Sequence, residues 1–462
     1  MKSAVLFALV LTGCPAEDAP TEDSAAETDT DVDTDDSAAP VEPSFAVQIT
    51  GPAATEPVDE CGETCFSAVV TFDGEPVAGA IVDVWLGFDC VGVDLVSATD
   101  GTITACTSGL PLGTSEVIAT AEWGAERAEG LSTVDVRPFG WDDGFVRDTT
   151  AVSALPWTPS FTRYTGNPVL PPGQAGAFDS VGTMVPSVAR SDDGWVMWYA
   201  GTAEEDYLVG WATSPDGHSW TRGGTTAALA NDNLEGSWKR YSTNSPMVLQ
   251  DEGVWNVFYT GRAEETGNLT IGLATGSSPT DVADVPDNPV FSWNDDELGW
   301  AGQAVAHPAV LRNPAGWWEL WYSTGYHKIG YAYSADGRTW SRYCQNPVFV
   351  GDSANAWESN QVKASEVVLH DGWYMMTYTG GATGAFHVGW AMSRDGLNWV
   401  RAPEPVLSPP EQGGTWESAS VLGAAIAVDG DELRMWYAGT GQSGSAVGAA
   451  SAPLPSSIPE AR

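Results

Sequence analysis

Residues 321–340 read WYSTGYHKIGYAYSADGRTW, and this stretch carries three signals in a fixed order. Trp321-Tyr322-Ser323-Thr324-Gly325 is an aromatic-rich strand that ends on glycine. Ile329-Gly330-Tyr331-Ala332 is a second short strand, and Ser334 to Trp340 is a Ser-x-Asp-Gly-x-x-Trp turn leading into a third. The first signal recurs as Trp198-Tyr199-Ala200-Gly201, Phe258-Tyr259-Thr260-Gly261, Thr377-Tyr378-Thr379-Gly380 and Trp436-Tyr437-Ala438-Gly439. The second recurs as Val209-Gly210-Trp211-Ala212, and the turn at Ser214 to Trp220 and Ser393 to Trp399. Upstream of each set stands an opening aromatic: Phe178, Trp238, Trp300, Trp357 and Trp416, at intervals of 60, 62, 57 and 59 residues. Four strands per unit, a period near sixty and no helical periodicity predict an all-β chain whose repeats are the blades of a five-bladed β-propeller.

Ring closure can be read independently. The fifth unit runs out near Ala452 without a fourth strand. Phe161-Thr162-Arg163-Tyr164-Thr165-Gly166-Asn167-Pro168-Val169-Leu170 aligns without a gap on Trp340-Ser341-Arg342-Tyr343-Cys344-Gln345-Asn346-Pro347-Val348-Phe349. The N-terminal segment is therefore expected to complete the last blade and remove an open sheet edge. The propeller is assigned to 157–452, with a tail at 453–462.

The chain of 462 residues is too long for one ordinary domain. Residues 44–137 alternate apolar and polar side chains in short runs and predict a small β-sandwich, with a linker at 138–156. Asp73 to Ala80, Thr99-Asp100-Gly101 and Glu116 to Ala121 resemble bacterial immunoglobulin-like modules. That resemblance implies a spacer or stalk.

The ends and the charge bound the compartment and the partners. Lys2, an apolar run from Ala4 to Leu11, and Leu11-Thr12-Gly13-Cys14 resemble the signal and lipobox of bacterial lipoproteins. This implies a signal peptide at 1–13, lipidation of Cys14 and a lipid-anchored place in the cell envelope. Residues 14–43 read as a disordered acidic tether: between Pro15 and Pro43 lie eleven acidic residues and no basic ones. Overall, 62 Asp and Glu oppose 19 Lys and Arg, a formal net charge of −43. Such a surface repels nucleic acid and anionic headgroups, so a membrane is expected as partner only through the lipid. After export Cys61, Cys65, Cys90 and Cys106 are expected to form two disulfides, with Cys61 and Cys65 each bonded to Cys90 or Cys106. That leaves Cys344 as a free thiol. No metal-ligand spacing, phosphate loop or dinucleotide fingerprint is present, so neither metal nor cofactor is expected. A monomer is expected.

In a propeller the first strand of each blade lines the central channel. Those strands are read as Asp179 to Arg190, Lys239 to Gln250, Ala301 to Arg312, Glu358 to His370 and Glu417 to Val428. Asp179, Glu358 and Glu417 each follow the opening aromatic, and Glu366 lies within the fourth strand. Carboxylates converging from separate blades can act as acid and base on a glycosidic bond. Equivalent registers equally suit a repeated structural role. The residues that break the symmetry include Arg240, His307 and Lys363. Trp238, Trp300, Trp357 and Trp416 offer faces for stacking on sugar rings, or core packing. Asp216, Asp336 and Asp395 are read as turn-stabilising side chains.

Pro-x-Val, then Trp-Tyr-x-Gly, then Gly-x-Ala-x-Ser-x-Asp-Gly-x-x-Trp resemble the five-bladed glycosidase clan of arabinanases, β-xylosidases, invertases and levansucrases. The resemblance implies carbohydrate as ligand or substrate, and in active members one carboxylate on each of three blades. This chain departs from the pattern. Val185 stands before Pro186 where the clan has aspartate, and Ser245 and Met247 flank Pro246. The expectation is a glycosidase-like carbohydrate-active propeller. A non-catalytic glycan- or protein-binding propeller is the alternative.

Overall fold

The computed structural model describes residues 44–459 except 53–57, 60–63, 87–88, 108–112, 138–151, 204–205, 265–266, 296–300, 326, 383 and 443. The signal peptide, Cys14 and the tether thus lie outside the described residues. The chain divides into two units, residues 1–146 and 147–462. Among the described residues the regular structure is strand apart from one 3-10 turn at Trp293–Asp295, and no helix is long and apolar enough to cross a membrane.

The first unit contains two sheets. Strands Phe45–Gly51, Thr64–Phe72, Glu75–Pro76 and Thr102–Thr107 form one of them. Val58–Asp59, Glu126–Arg137, Gly113–Trp123, Ile81–Leu86 and Asp89–Val96 form the other. Alternation along the strands sends Val47, Phe66 and Val70 from the first sheet, and Val82, Val84 and Ala119 from the second, into one shared core. Cys65 and Cys106 face each other on neighbouring strands and are bonded, with Cα atoms 4.0 Å apart. This is one of the pairings the sequence left open. Cys61 and the side chain of Cys90 lie outside the described residues. Cys344, expected as a free thiol, is instead disulfide-bonded; counting the other four cysteines as two closed pairs had left it over.

The second unit holds five antiparallel units of four strands. Their first strands are Gly182–Ser191, Ser242–Asp251, Val305–Arg312, Gln361–His370 and Ser420–Asp429. Each pairs with a second strand built on the Tyr-x-Gly signal, which pairs with a third. The first strands contact one another in a closed order, one to two to three to four to five and back to one. The fourth strands are short: Thr221–Arg222, Asp281–Asp284, Ser341–Arg342 and Val400–Arg401 for the first four units. In the fifth unit that place is taken by Thr162–Arg163, which pairs antiparallel with Gly444–Pro453. Asn167 bonds both the amide and the carbonyl of Ala449, as Asn346 brackets Tyr331 in the third unit. The gapless alignment of 161–170 on 340–349 thus describes one local structure used twice.

Two boundaries move. Val152, Leu155 and Trp157 pack against a buried cluster of units four and five, and so do Leu454 and Ile458 beyond the last strand. Segments read as the end of a linker and as a tail contribute apolar surface to the core. The second strands carry the heaviest burial: Trp195, Trp198, Trp321, Trp373 and Trp436 are fully enclosed, each contributing at least about 1.5–3 kcal/mol by area removed from water.

Candidate functional site

The four candidate carboxylates have two different fates. Asp179, Glu358 and Glu417 lie in the turns before their first strands, which begin at Gly182, Gln361 and Ser420. They therefore stand outside the strands that line the channel, contrary to the strand limits read from the sequence. The cause is a turn after the opening aromatic that seats the ring before the strand starts. Each carboxylate is almost fully buried. Asp179 Oδ2 accepts from Tyr199 Oη at 2.9 Å and Arg222 Nε at 2.7 Å. Glu358 accepts from Tyr378 Oη at 2.8 Å, Arg401 at 3.0 Å and Asn355 at 2.8 Å. Glu417 accepts from Tyr437 Oη at 2.8 Å and from Arg163 Nε at 3.0 and 3.1 Å. The tyrosine comes from the second strand and the arginine from the fourth, so each carboxylate ties the outer strand of its unit to its inner turn. A charge-assisted pair of this kind is a structural bracket. Each of the three is held as an ion by an arginine and a tyrosine, an engagement that opposes its use in proton transfer, although Asp179 Oδ1 is buried without a partner.

The opening tryptophans are packed. The Trp238 indole lies across Gly261 and Gly272, where an added Cβ would stand 2.3 and 2.1 Å from the ring, and its centroid is 5.3 Å from that of Tyr259. Trp357 and Trp416 take the same place against Tyr378 and Tyr437, over Gly380 and Gly439. The glycines of the repeat thus exist to admit the aromatic. Trp300 lies outside the described residues. Arg240 sits over the Tyr241 ring at 5.2 Å. In the Asp-Gly turns, Asp216 Oδ1 accepts the amides of His218 and Ser219, and Asp395 Oδ1 those of Leu397 and Asn398. Those amide bonds hold the Asp216 carboxyl well below its ordinary range.

Two remaining candidates, His307 and Lys363, come together. Both line a cavity of about 560 Å³ with His327, Gln303, Ser323 and Thr324, a size within the ligand-pocket range. A small annex beside them adds Val185, Ser365 and Gly423. Here the first strands are irregular. Each has a register break, and Val185, Ser245, His307 and Gly423 adopt left-handed φ of 45, 46, 50 and 55°. For the β-branched Val185 this is a strained conformation. Strain repeated around one ring marks a shaped mouth. The first strand of unit four breaks register between Ala364 and Glu366.

Ser245 Oγ donates to Asn244 Oδ1 at 3.0 Å and lies 2.9 Å from His307 Nδ1. With the serine proton engaged, Nδ1 is the donor and Nε2 keeps its lone pair. Burial, then the nearby Lys363 and His327, lower the His307 pKa to about 3, so the ring is neutral. Burial also lowers the Lys363 pKa. Its ammonium is 5.8 Å from the Phe386 ring centroid, and no carboxylate pairs with it among the described residues.

Glu366 points elsewhere. It lines a pocket of about 630 Å³ formed where the first strands end, with Val188, Met247, Val310 and Ile426. Enclosure raises its pKa well above the ordinary carboxyl value, and its Oε2 is buried without a hydrogen-bond partner. The only sign of this buried acid in the sequence is that Glu366 stands where the other units have Ser187, Met247, Ala309 and Ala425 at the same register.

No family model matches the chain. It is similar to the uncharacterized protein Rv1502 of Mycobacterium tuberculosis strain ATCC 25618 / H37Rv: 27% identical over 238 residues, 49% of this chain and 76% of that protein. The uncharacterized protein MT1551 of strain CDC 1551 / Oshkosh aligns to the same extent. Among solved structures, one from the GH130 family of mannoside phosphorylases, which contains glycoside hydrolases that target β-1,2 mannosidic linkages in Candida mannan, superposes with TM-score 0.54 at 18% identity. It covers 69% of this chain and 99% of its own. A glycosyl hydrolase from Bacteroides ovatus gives 0.53 at 17%, covering 66% and 96%. The β-1,2-mannobiose phosphorylase of Listeria innocua, in complex with β-1,2-mannobiose, gives 0.51 at 14%, covering 64% and 97%. These likenesses show a glycosidase-like all-β fold.

Proposed function

We propose that the second unit is a five-bladed propeller that binds carbohydrate at the cavity around His307 and Lys363 and does not hydrolyse it through paired carboxylates. The observation that carries this reading is the engagement of Asp179, Glu358 and Glu417 by Arg222, Arg401 and Arg163. The positions that ring the mouth carry Val185, Ser245, His307, Ser365 and Gly423, with no acid or base pair among them. The immunoglobulin-like reading of the first unit, the lipid anchor at Cys14, a place in the cell envelope and the monomeric state belong to the same proposal. Lys2, the Ala4 to Leu11 run and Leu11 to Cys14 support export, and the Cys65–Cys106 bond fits an oxidising compartment.

One observation favours a second reading. A carboxyl facing a pocket with its pKa raised by burial is the environment of a general acid, and Glu366 has it. A panel of arabinans, xylans, fructans and mannans separates the two, scored for reducing-sugar release beside a glycan-binding array. Binding without release is expected. Release that disappears in Glu366→Gln establishes hydrolysis and overturns the binding-only reading.

A further inference from the structure

Lys363 is the charge that the repeat does not explain. At its register the other four units carry Met184, Asn244, Ala306 and Leu422, all uncharged. The arginines of the brackets recur and are paired; Lys363 occurs once and, among the described residues, is not paired. A half-buried ammonium without a counter-ion is costly, and a ligand anion relieves that cost where a neutral hydroxyl does not. The cavity wall offers His327, Gln303, Ser323 and Thr324 and, among the described residues, no aspartate or glutamate. His307 adds a lone-pair acceptor at Nε2 on a neutral ring. Cation, acceptor and hydroxyl groups together match a sugar that carries both a carboxylate and a free hydroxyl.

We propose, resting on the carbohydrate reading above, that this cavity takes the acidic unit of a saccharide. Its carboxylate sits on Lys363 and a hydroxyl of the same unit donates to His307 Nε2. The formal net charge of −43 repels long polyanions, but screening confines that field to about 8 Å at physiological salt, so a short acidic oligomer is the fitting ligand.

The test is calorimetric titration of the full chain at 0.15 M salt with trigalacturonate, with its carboxyl-reduced neutral counterpart, and with inorganic phosphate. Trigalacturonate is expected to bind at least tenfold tighter than the neutral oligomer. Lys363→Met is expected to abolish that preference and Lys363→Arg to keep it, with thermal unfolding confirming that both variants fold. Equal affinity for the two oligomers in the native protein overturns the proposal, as does a preference that survives Lys363→Met. Phosphate binding without preference for the acidic oligomer overturns it too, identifying the cavity as an oxyanion site unrelated to acidic sugars. Failure of both saccharides to bind overturns this proposal, and the carbohydrate reading falls with it only if the glycan-binding array is also blank.

Discussion

Units one, four and five carry an acid after the opening aromatic and an arginine in the fourth strand; unit two carries the same bracket with its polarity reversed. Lys239 stands where the others have Asp179, Glu358 or Glu417, and Asp284 stands where they have Arg222, Arg401 or Arg163. Tyr259 follows the acid, donating to Asp284 at 2.6 Å where its counterparts donate to the inner carboxylate. In these four units the position holds an ion pair with a tyrosine on it and is indifferent to which side holds which charge; unit three has Ala301 at the inner place. A catalytic carboxylate could not tolerate such an exchange, so the comparison separates architecture from chemistry within one molecule.

The comparison can be broken most directly in unit four. Glu358→Ala leaves Arg401 and the Tyr378 hydroxyl without their acceptor, and a loss of about 3 kcal/mol of unfolding free energy is expected in urea titration. Any glycan binding retained by the folded variant should be unchanged. In unit two, Lys239→Glu sets two carboxylates against each other and is expected to cost about 2 kcal/mol. Adding Asp284→Arg, which gives unit two the polarity of its neighbours, should restore most of it, and a double-mutant cycle measures the coupling. Full additivity would show that the two sites do not interact.

Glu366 sharpens the contrast as the carboxylate with no bracket. Its folded pKa is raised, so it opposes folding wherever the unfolded carboxyl is ionised. Its contribution is therefore best below the unfolded value of about 4.5, worsens as pH rises toward the folded pKa, and is constant beyond it. Glu366→Gln is expected to be more stable than the native chain at pH 7. The difference should vanish below about pH 4. Thermal melts across pH 3.5–8 measure it.

Most of the architecture was legible because the repeat is periodic and its closing strand is written in the same ten-residue phrase as its counterpart. The brackets were legible too. In units one, four and five an aromatic-x-Arg pair at Trp220-Arg222, Trp399-Arg401 and Phe161-Arg163 accompanies the acid, and in unit two acid and base exchange together. That covariation, kept in four units and broken in unit three by Ala301 beside Trp340-Ser341-Arg342, was the missed signal against three of the four candidate catalytic residues. The opening tryptophans likewise announce packing through the paired glycines they need. The cavity was less legible. His307, Lys363 and His327 come from two units and a loop, and the first two lie beside register breaks in their strands, with left-handed, strained backbone at His307 itself. No spacing rule encodes that strain.

The closing strand has a consequence in time. Asn167 and its partner Ala449 are separated by 282 residues, whereas Asn346 and Tyr331 are separated by 15. For an otherwise unstructured chain, the longer loop costs about 2.6 kcal/mol more to close. During synthesis the N-terminal strand leaves the ribosome first, yet its pairing edge is made last. The early strand must therefore wait unpaired through the making of every other unit. The fifth unit is completed only when its final hairpin emerges, so its closure runs on the schedule of the latest-made residues.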